Sequence, residues 1–203
     1  RTINGSTARY IEYMKNWDFG TDLQDAFFVD SGLTFTGETS TLSSGINATA
    51  TTVSLADASA FTSSGVIEIG TEQITYSGKS TNDLTGCTRG SNSTTAAAHS
   101  SGATVTQTAD VLSGLSHLEG QTVDILEEGA THPDLTVSSG AITLQRETTK
   151  AHVGLPFTST LQTMRLEAGA TDGTAQGKIK RIDEVTVRLF RTVNALVGAN
   201  TTN

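Results

Sequence analysis

The chain has one cysteine, Cys87, and two prolines, Pro133 and Pro156, among its 203 residues. A single cysteine excludes an internal disulfide and a zinc site of the Cys-rich kind. No stretch approaches the ~20 consecutive apolar residues of a membrane-spanning helix, so no membrane span is expected. Cationic residues are also scarce: 13 Lys and Arg stand against 21 Asp and Glu, a formal charge of −8. Neutralising phosphates needs Lys and Arg, so this acidic chain is a poor general binder of nucleic acid, and sequence-specific recognition of nucleic acid is not expected. Arg1 is not an initiator Met and no signal peptide opens the chain, so a fragment of a longer polypeptide is expected.

Hydrophobic residues make up 35% and charged residues 17%, both below the usual globular shares. Threonine, serine and glycine take their place with 36, 20 and 20 residues. Many Ser and Gly with few apolar residues is also the composition of disordered chains. Two features oppose that reading. The net charge per residue is small, and the apolar residues cluster in short alternating runs, the pattern of half-buried strands. Threonine is β-branched and suits a pleated strand with one wet face. An all-β fold is expected.

Along the chain, Asn4-Gly5 predicts a tight hairpin turn within 3–14, with a strand-like arm at 8–14. Residues 21–30 read as a short turn into a strand ending at 30–32, and Leu33-Thr34-Phe35-Thr36 alternates before Gly37. Between 41 and 107 only six residues are charged: Asp57, Glu68, Glu72, Lys79, Asp83 and Arg89. Short strands are expected there at 52–55, 66–69, 73–76, 83–87 and 103–106, with a helical turn at 96–99. Five strands in so short a span suggest a small barrel or sandwich. Beyond 108 the strand candidates are 122–126, 134–137, 141–144, 159–167 and 179–191, with turns at 127–133 and 138–140 and a loop at 168–177. The charge-poor stretch 41–107 therefore reads as a module inserted at a loop tip of a frame made of 1–40 and 108–203. The expected fold is a discontinuous β-sandwich or barrel-like frame carrying a small barrel-like module.

Catalytic patterns fail one by one. Around Gly173–Lys178 a phosphate loop would require Gly and Ser or Thr where Asp172 and Ile179 stand. Ser116-His117 lacks a nucleophile elbow. His99, His117, His132 and His152 show no metal-ligand spacing. The acidic groups Asp22, Asp25, Asp30 and Glu127-Glu128, with Asp172-Gly173, invite a calcium reading, but Asp and Gly are ordinary turn residues. No enzyme activity, cofactor or metal is expected. Trp17, Phe19, Phe27, Phe28 and Phe35 concentrate aromatic area in the first forty residues. Aromatics are the largest source of burial, so Trp17, Phe19, Phe27 and Phe28 are candidates for a subunit interface, with a sugar-stacking platform as the alternative. Lys178, Lys180, Arg181, Arg188 and Arg191 form a basic group that could touch DNA or pair with acidic neighbours.

Two sets of words resemble known proteins. The first comprises Ala50–Leu55, Gly65–Gly70, Glu72–Gly78, Thr85–Gly90 and Thr94–His99. It resembles a small β module that recurs in tail proteins of bacteriophages and prophages. The second comprises Arg1–Gly5, Arg9–Glu12, Asp25–Thr34, Leu115–Val123, Val153–Phe157 and Thr174–Lys178. It resembles the C-terminal part of tail hub or nozzle proteins, the tail tubular protein B type of short-tailed phages. The resemblance implies a virion subunit, assembled in the host cytoplasm into a homo-oligomeric ring around the DNA exit channel and in contact with other tail proteins. It supplies no catalytic residue. An adhesin that binds a host-surface receptor or glycan is the alternative, through the module or the 168–177 loop. A polysaccharide-degrading enzyme would need a carboxylate pair, drawn from Asp124, Glu127, Glu128 and Asp134.

Overall fold

The computed structural model describes residues 2–3, 6–7, 9–16, 18–164, 184–190, 192 and 195–198. The chain divides into two units, Arg1–Pro156 and Phe157–Asn203. The described part of the second unit, 157–164, 184–190, 192 and 195–198, contains no strand. The strand candidates 159–167 and 179–191 are therefore not formed where they are described. Val185, Val187 and Leu189 do alternate, yet they are 61%, 47% and 57% exposed. Alternation becomes a strand only where a neighbouring strand and an apolar layer accept it.

The first unit opens with β1 (Thr2–Ile3) and β2 (Ser6–Thr7), paired antiparallel with Ile3 opposite Ser6. The hairpin is shorter than expected, because the arm 9–16 carries no strand. A 3-10 turn at Leu23–Asp25 follows, capped by Asp22, and then β3 (Asp30–Thr36). The expected strand thus begins where it was placed to end. The next elements are β4 (Thr39–Thr41), β5 (Thr52–Ser54), β6 (Gly65–Ile69), β7 (Glu72–Tyr76), β8 (Gly78–Ser80), β9 (Asp83–Thr85), β10 (Thr88–Ser91) and the long β11 (Thr104–Ser113). Residues 96–98 are not helical, and His99 instead forms a bridge with Ile46. The unit closes with β12 (Thr122–Glu127), β13 (Ala130–Thr136), β14 (Ala141–Thr148) and β15 (Lys150–Leu155).

The turn placed at 127–133 shrinks to Glu128-Gly129, and His132 and Pro133 lie within β13. Pro133 is tolerated because β13 is an edge strand and the β12–β13 register shifts beside it; proline survives in sheets at edges and bulges. β15 has no counterpart among the expected strands. Four successive residues, Ala151–Gly154, are buried, so both faces are covered and period-two alternation is lost.

Three larger sheets result: β10-β7-β6-β11-β14 with β4 also on β11, β5-β9-β8, and β13-β12-β15-β3. All their pairings are antiparallel. One core gathers Leu42, Val53, Phe61, Ile67, Ile74, Tyr76, Leu84, Cys87 and Val105 with their neighbours. A second gathers Leu112, Leu118, Val123, Ile125, Ile142, Ala151 and Val153. β11 contributes Val105 to the first and Leu112 to the second, so one strand spans both. The fold is all-β and sandwich-like.

Where the chain passes from β3 to β4, Gly37 is buried and its amide donates to the Thr149 carbonyl at 2.8 Å. A Cβ there would lie 1.8 Å from the Gln107 carbonyl oxygen, a backbone atom that cannot move aside. At the other end of β3, a Cβ on Gly154 would fall 2.8 Å from the Gly32 Cα and 2.7 Å from a Val29 methyl.

Candidate functional site

Glu72 starts β7 inside the first core, with 1% exposure. A lone buried carboxylate is costly, so it must be paired and hydrogen-bonded. Arg89 of β10 supplies a bidentate grip, Nε to Oε1 at 2.8 Å and Nη2 to Oε2 at 2.7 Å. The amides of Gly90 and Ala97 donate at 3.0 and 3.1 Å, and His99 Nε2 donates to Oε2 at 2.7 Å. Burial alone would raise this carboxyl, but the bonds from Arg89, His99, Ala97 and Gly90 outweigh it and hold it down at about 2. Arg89 also donates to the carbonyls of Asn47 and Ala97. Asp57, Glu68 and Lys79 bond within residues 41–107 as well, so five of the six charges of that stretch are committed inside it. Sequence reading missed this network; its signal was a Glu and an Arg set into otherwise apolar, Thr-rich strands.

A second polar cluster fixes the 3-10 turn onto the β15–β3 pair. His152 is 3% exposed; its Nε2 donates to the Gln24 carbonyl at 2.9 Å and its Nδ1 accepts from Thr34 Oγ1 at 2.9 Å. That pairing requires a neutral ring, and burial lowers its pKa. Phe27 meets the ring edge-to-face at 5.3 Å. Lys15 Nζ lies 5.0 Å from the Phe27 centroid, and Lys150 pairs with Asp25.

Of the four expected interface aromatics, Trp17 lies outside the described residues. Phe27 is half-buried and meets His152 edge-to-face. Phe19 and Phe28 form an edge-to-face pair at 5.7 Å, half-buried and 39% exposed respectively. The arm before them is tethered along one side: Tyr10 lies 5.7 Å from the His117 ring, and Glu12 accepts from Ser31 Oγ at 2.6 Å. Ile11, Tyr13 and Met14 of the arm face water, at 103%, 81% and 97% exposure.

The acidic residues have structural work. Asp22 caps the 3-10 turn, Asp25 meets Lys150, Glu127 is buried against Arg146 Nε at 2.5 Å, and Glu128 accepts from the Thr149 amide and hydroxyl at 2.9 Å. Burial raises Asp124, and the nearby Asp134 adds to it. Among the described residues no group of three His, Cys, Asp or Glu could hold a metal ion. Of the basic group only Arg188 is described, and it is exposed; Lys178, Lys180, Arg181, Arg191 and the loop 168–177 lie outside the described residues. Cys87 is buried, and burial pushes its thiol up, as for an inert packing cysteine.

An open cleft of about 390 Å³ lies between the β7–β10 end of the first core and the β11–β14 ladder. Its walls carry Asn92 and Ser93 on one side and Asp110, Gln145, Arg146 and Glu147 on the other. Glu147 is raised by burial and by Asp110. Thr108 Oγ1 sits 2.7 Å from Glu147 Oε2 and 3.2 Å from the Val66 carbonyl. One hydroxyl proton serves two acceptors there, a competition that protonating Glu147 would relieve.

No family model matches the chain, and no curated protein matches it.

Proposed function

We propose that the chain is a structural subunit of a bacteriophage tail, of the hub or nozzle type around the DNA exit channel, and that it acts by packing rather than by catalysis. The carrying observation is the arm bearing Ile11, Tyr13 and Met14, tethered on one side and almost fully exposed on the other. Solvent-facing apolar side chains on an anchored segment suit a neighbouring subunit. Leu161 and Met164, at 92% and 91% exposure, have the same character. The resemblance in sequence words gives the class of assembly, and three of those words contribute Glu72, Arg89 and His99 to one buried network. In this reading 41–107 is a rigid inserted module in the frame formed by the rest. The charge of −8 would let DNA slide past without sticking. The test is the mass of the purified full chain by analytical ultracentrifugation. A closed ring supports the reading, whereas a monomer at every concentration, or a trimer of the fibre or spike kind, overturns it.

A further inference from the structure

The cleft beside Asp110 has features that subunit packing does not explain. Pairing of β11 with β14 runs regularly from Ser113 back to Val111, opposite Thr143, and resumes at Ala109, opposite Thr148. Between these points Asp110 alone faces four residues of β14, so the ladder opens there, and Gln145, Arg146 and Glu147 line the cleft beside it. Bulges of this kind cluster beside functional sites. Across the cleft, Asn92 and Ser93 hold φ of 53° and 66°, left-handed backbone that side-chain-bearing residues rarely adopt in succession. Asn92 Nδ2 is pinned to Gln73 Oε1 at 2.9 Å.

The chemistry of the walls narrows the ligand. Every lining residue is polar or charged, while their aliphatic stems supply much of the wall surface; no continuous apolar bed is present for a lipid chain, but the C–H face of a sugar ring finds contact. Two carboxylates against one guanidinium leave it net negative, which disfavours phosphate and other anions. Amides, hydroxyls and carboxylates remain, alternating donors and acceptors as a ring of sugar hydroxyls requires, in a volume at the lower end of small-ligand pockets. We propose that this cleft binds a neutral hexose or N-acetylhexosamine unit of a glycan. Asp110 and Glu147 accept from ring hydroxyls, and Gln145 and Asn92 donate to them. Arg146, whose Nε is committed to Glu127, forms the outer wall. The proposal is independent of the packing role.

The probes are a panel of neutral methyl glycosides of the common hexoses and N-acetylhexosamines, with inorganic phosphate as the anionic control, titrated into the full chain and followed by amide NMR shifts. The expected result is saturable shifts confined to 92–94, 110 and 145–147, with Kd near ~1 mM, the weak end of specific binding. Asp110→Ala and Gln145→Ala should each weaken it at least about tenfold, equivalent to ~1.4 kcal/mol, with unchanged thermal midpoints. Glycan binding at the lining that both variants leave intact overturns the proposal, as does phosphate binding in preference to every glycoside. Silence from the whole panel at ~50 mM, where such a Kd predicts saturation, overturns it too.

Discussion

Arg89 of β10 holds the carboxylate of Glu72 of β7 by two parallel N–H···O bonds of 2.8 and 2.7 Å, with the two side chains 6% and 1% exposed. Removing one partner of a buried pair leaves the other charge without compensation. Arg89→Met should therefore cost about 3–5 kcal/mol, read as a lower urea midpoint. A loss below ~1 kcal/mol, the range of exposed ion pairs, would mean that water reaches Glu72.

The same carboxylate sets an acid limit. Its pKa falls from 4.5 to about 2 on folding, so the unfolded chain takes up the proton first as pH drops. The associated stability is present above 4.5 and is lost progressively as pH falls towards about 2. A shift of that size corresponds to roughly 3 kcal/mol. Urea unfolding of wild type and Glu72→Gln between pH 6 and 2 should show the variant less stable at neutral pH and less sensitive to acid.

His152 acts in a higher window. Burial lowers its pKa below 6.5, against the opposing bond to the Gln24 carbonyl. Stability from the neutral ring is present above 6.5 and declines as pH falls through the lowered folded value. His152→Gln should flatten the pH dependence of the thermal midpoint just below 6.5. An unaltered slope would show that His152 takes up its proton as readily in the folded chain as in the unfolded one.

Gly37 tests the passage from β3 to β4. Alanine there would put Cβ 1.8 Å from the Gln107 carbonyl oxygen. The backbone must shift, and overpacking of that kind costs typically ~1–3 kcal/mol or more. Gly102→Ala is the comparison: its Cβ meets nothing within 4 Å, and its only cost is the positive φ of +84°, which Gly37 does not have. Gly37→Ala should fall below it in a denaturant titration.

The exposed arm separates folding from assembly. Ile11→Ser, Tyr13→Ser and Met14→Ser should each change monomer stability by no more than ~0.5 kcal/mol, as surface substitutions do. Together they should shift sedimentation of the full chain towards the monomer. An assembly unaffected by all three would exclude the arm from the interface.

The all-β class was legible because Thr-rich alternation at 52–55, 66–69 and 73–76 requires only a chain that pleats with one face covered. The antiparallel pairing of Thr2–Ile3 with Ser6–Thr7 was legible because a tight-turn signal in the sequence depends on two residues alone. β15 was hidden: a strand covered on both faces loses its alternation, and its burial comes from sheets remote in sequence. The strand expected at 179–191 is absent over 184–190, where the chain is described, for the converse reason, since alternation carries no information about a partner. Phe27 and Phe28 are adjacent in sequence, but only the position of His152 turns one inward and leaves the other 39% exposed. The sequence by itself determined composition, charge, turn chemistry and strand periodicity, all local properties. Tertiary structure alone decided which charges are buried together. Glu72, Arg89 and His99 are separated by 17 and 27 residues, and a bidentate bond forms only where the folded sheet brings such distant positions within 3 Å.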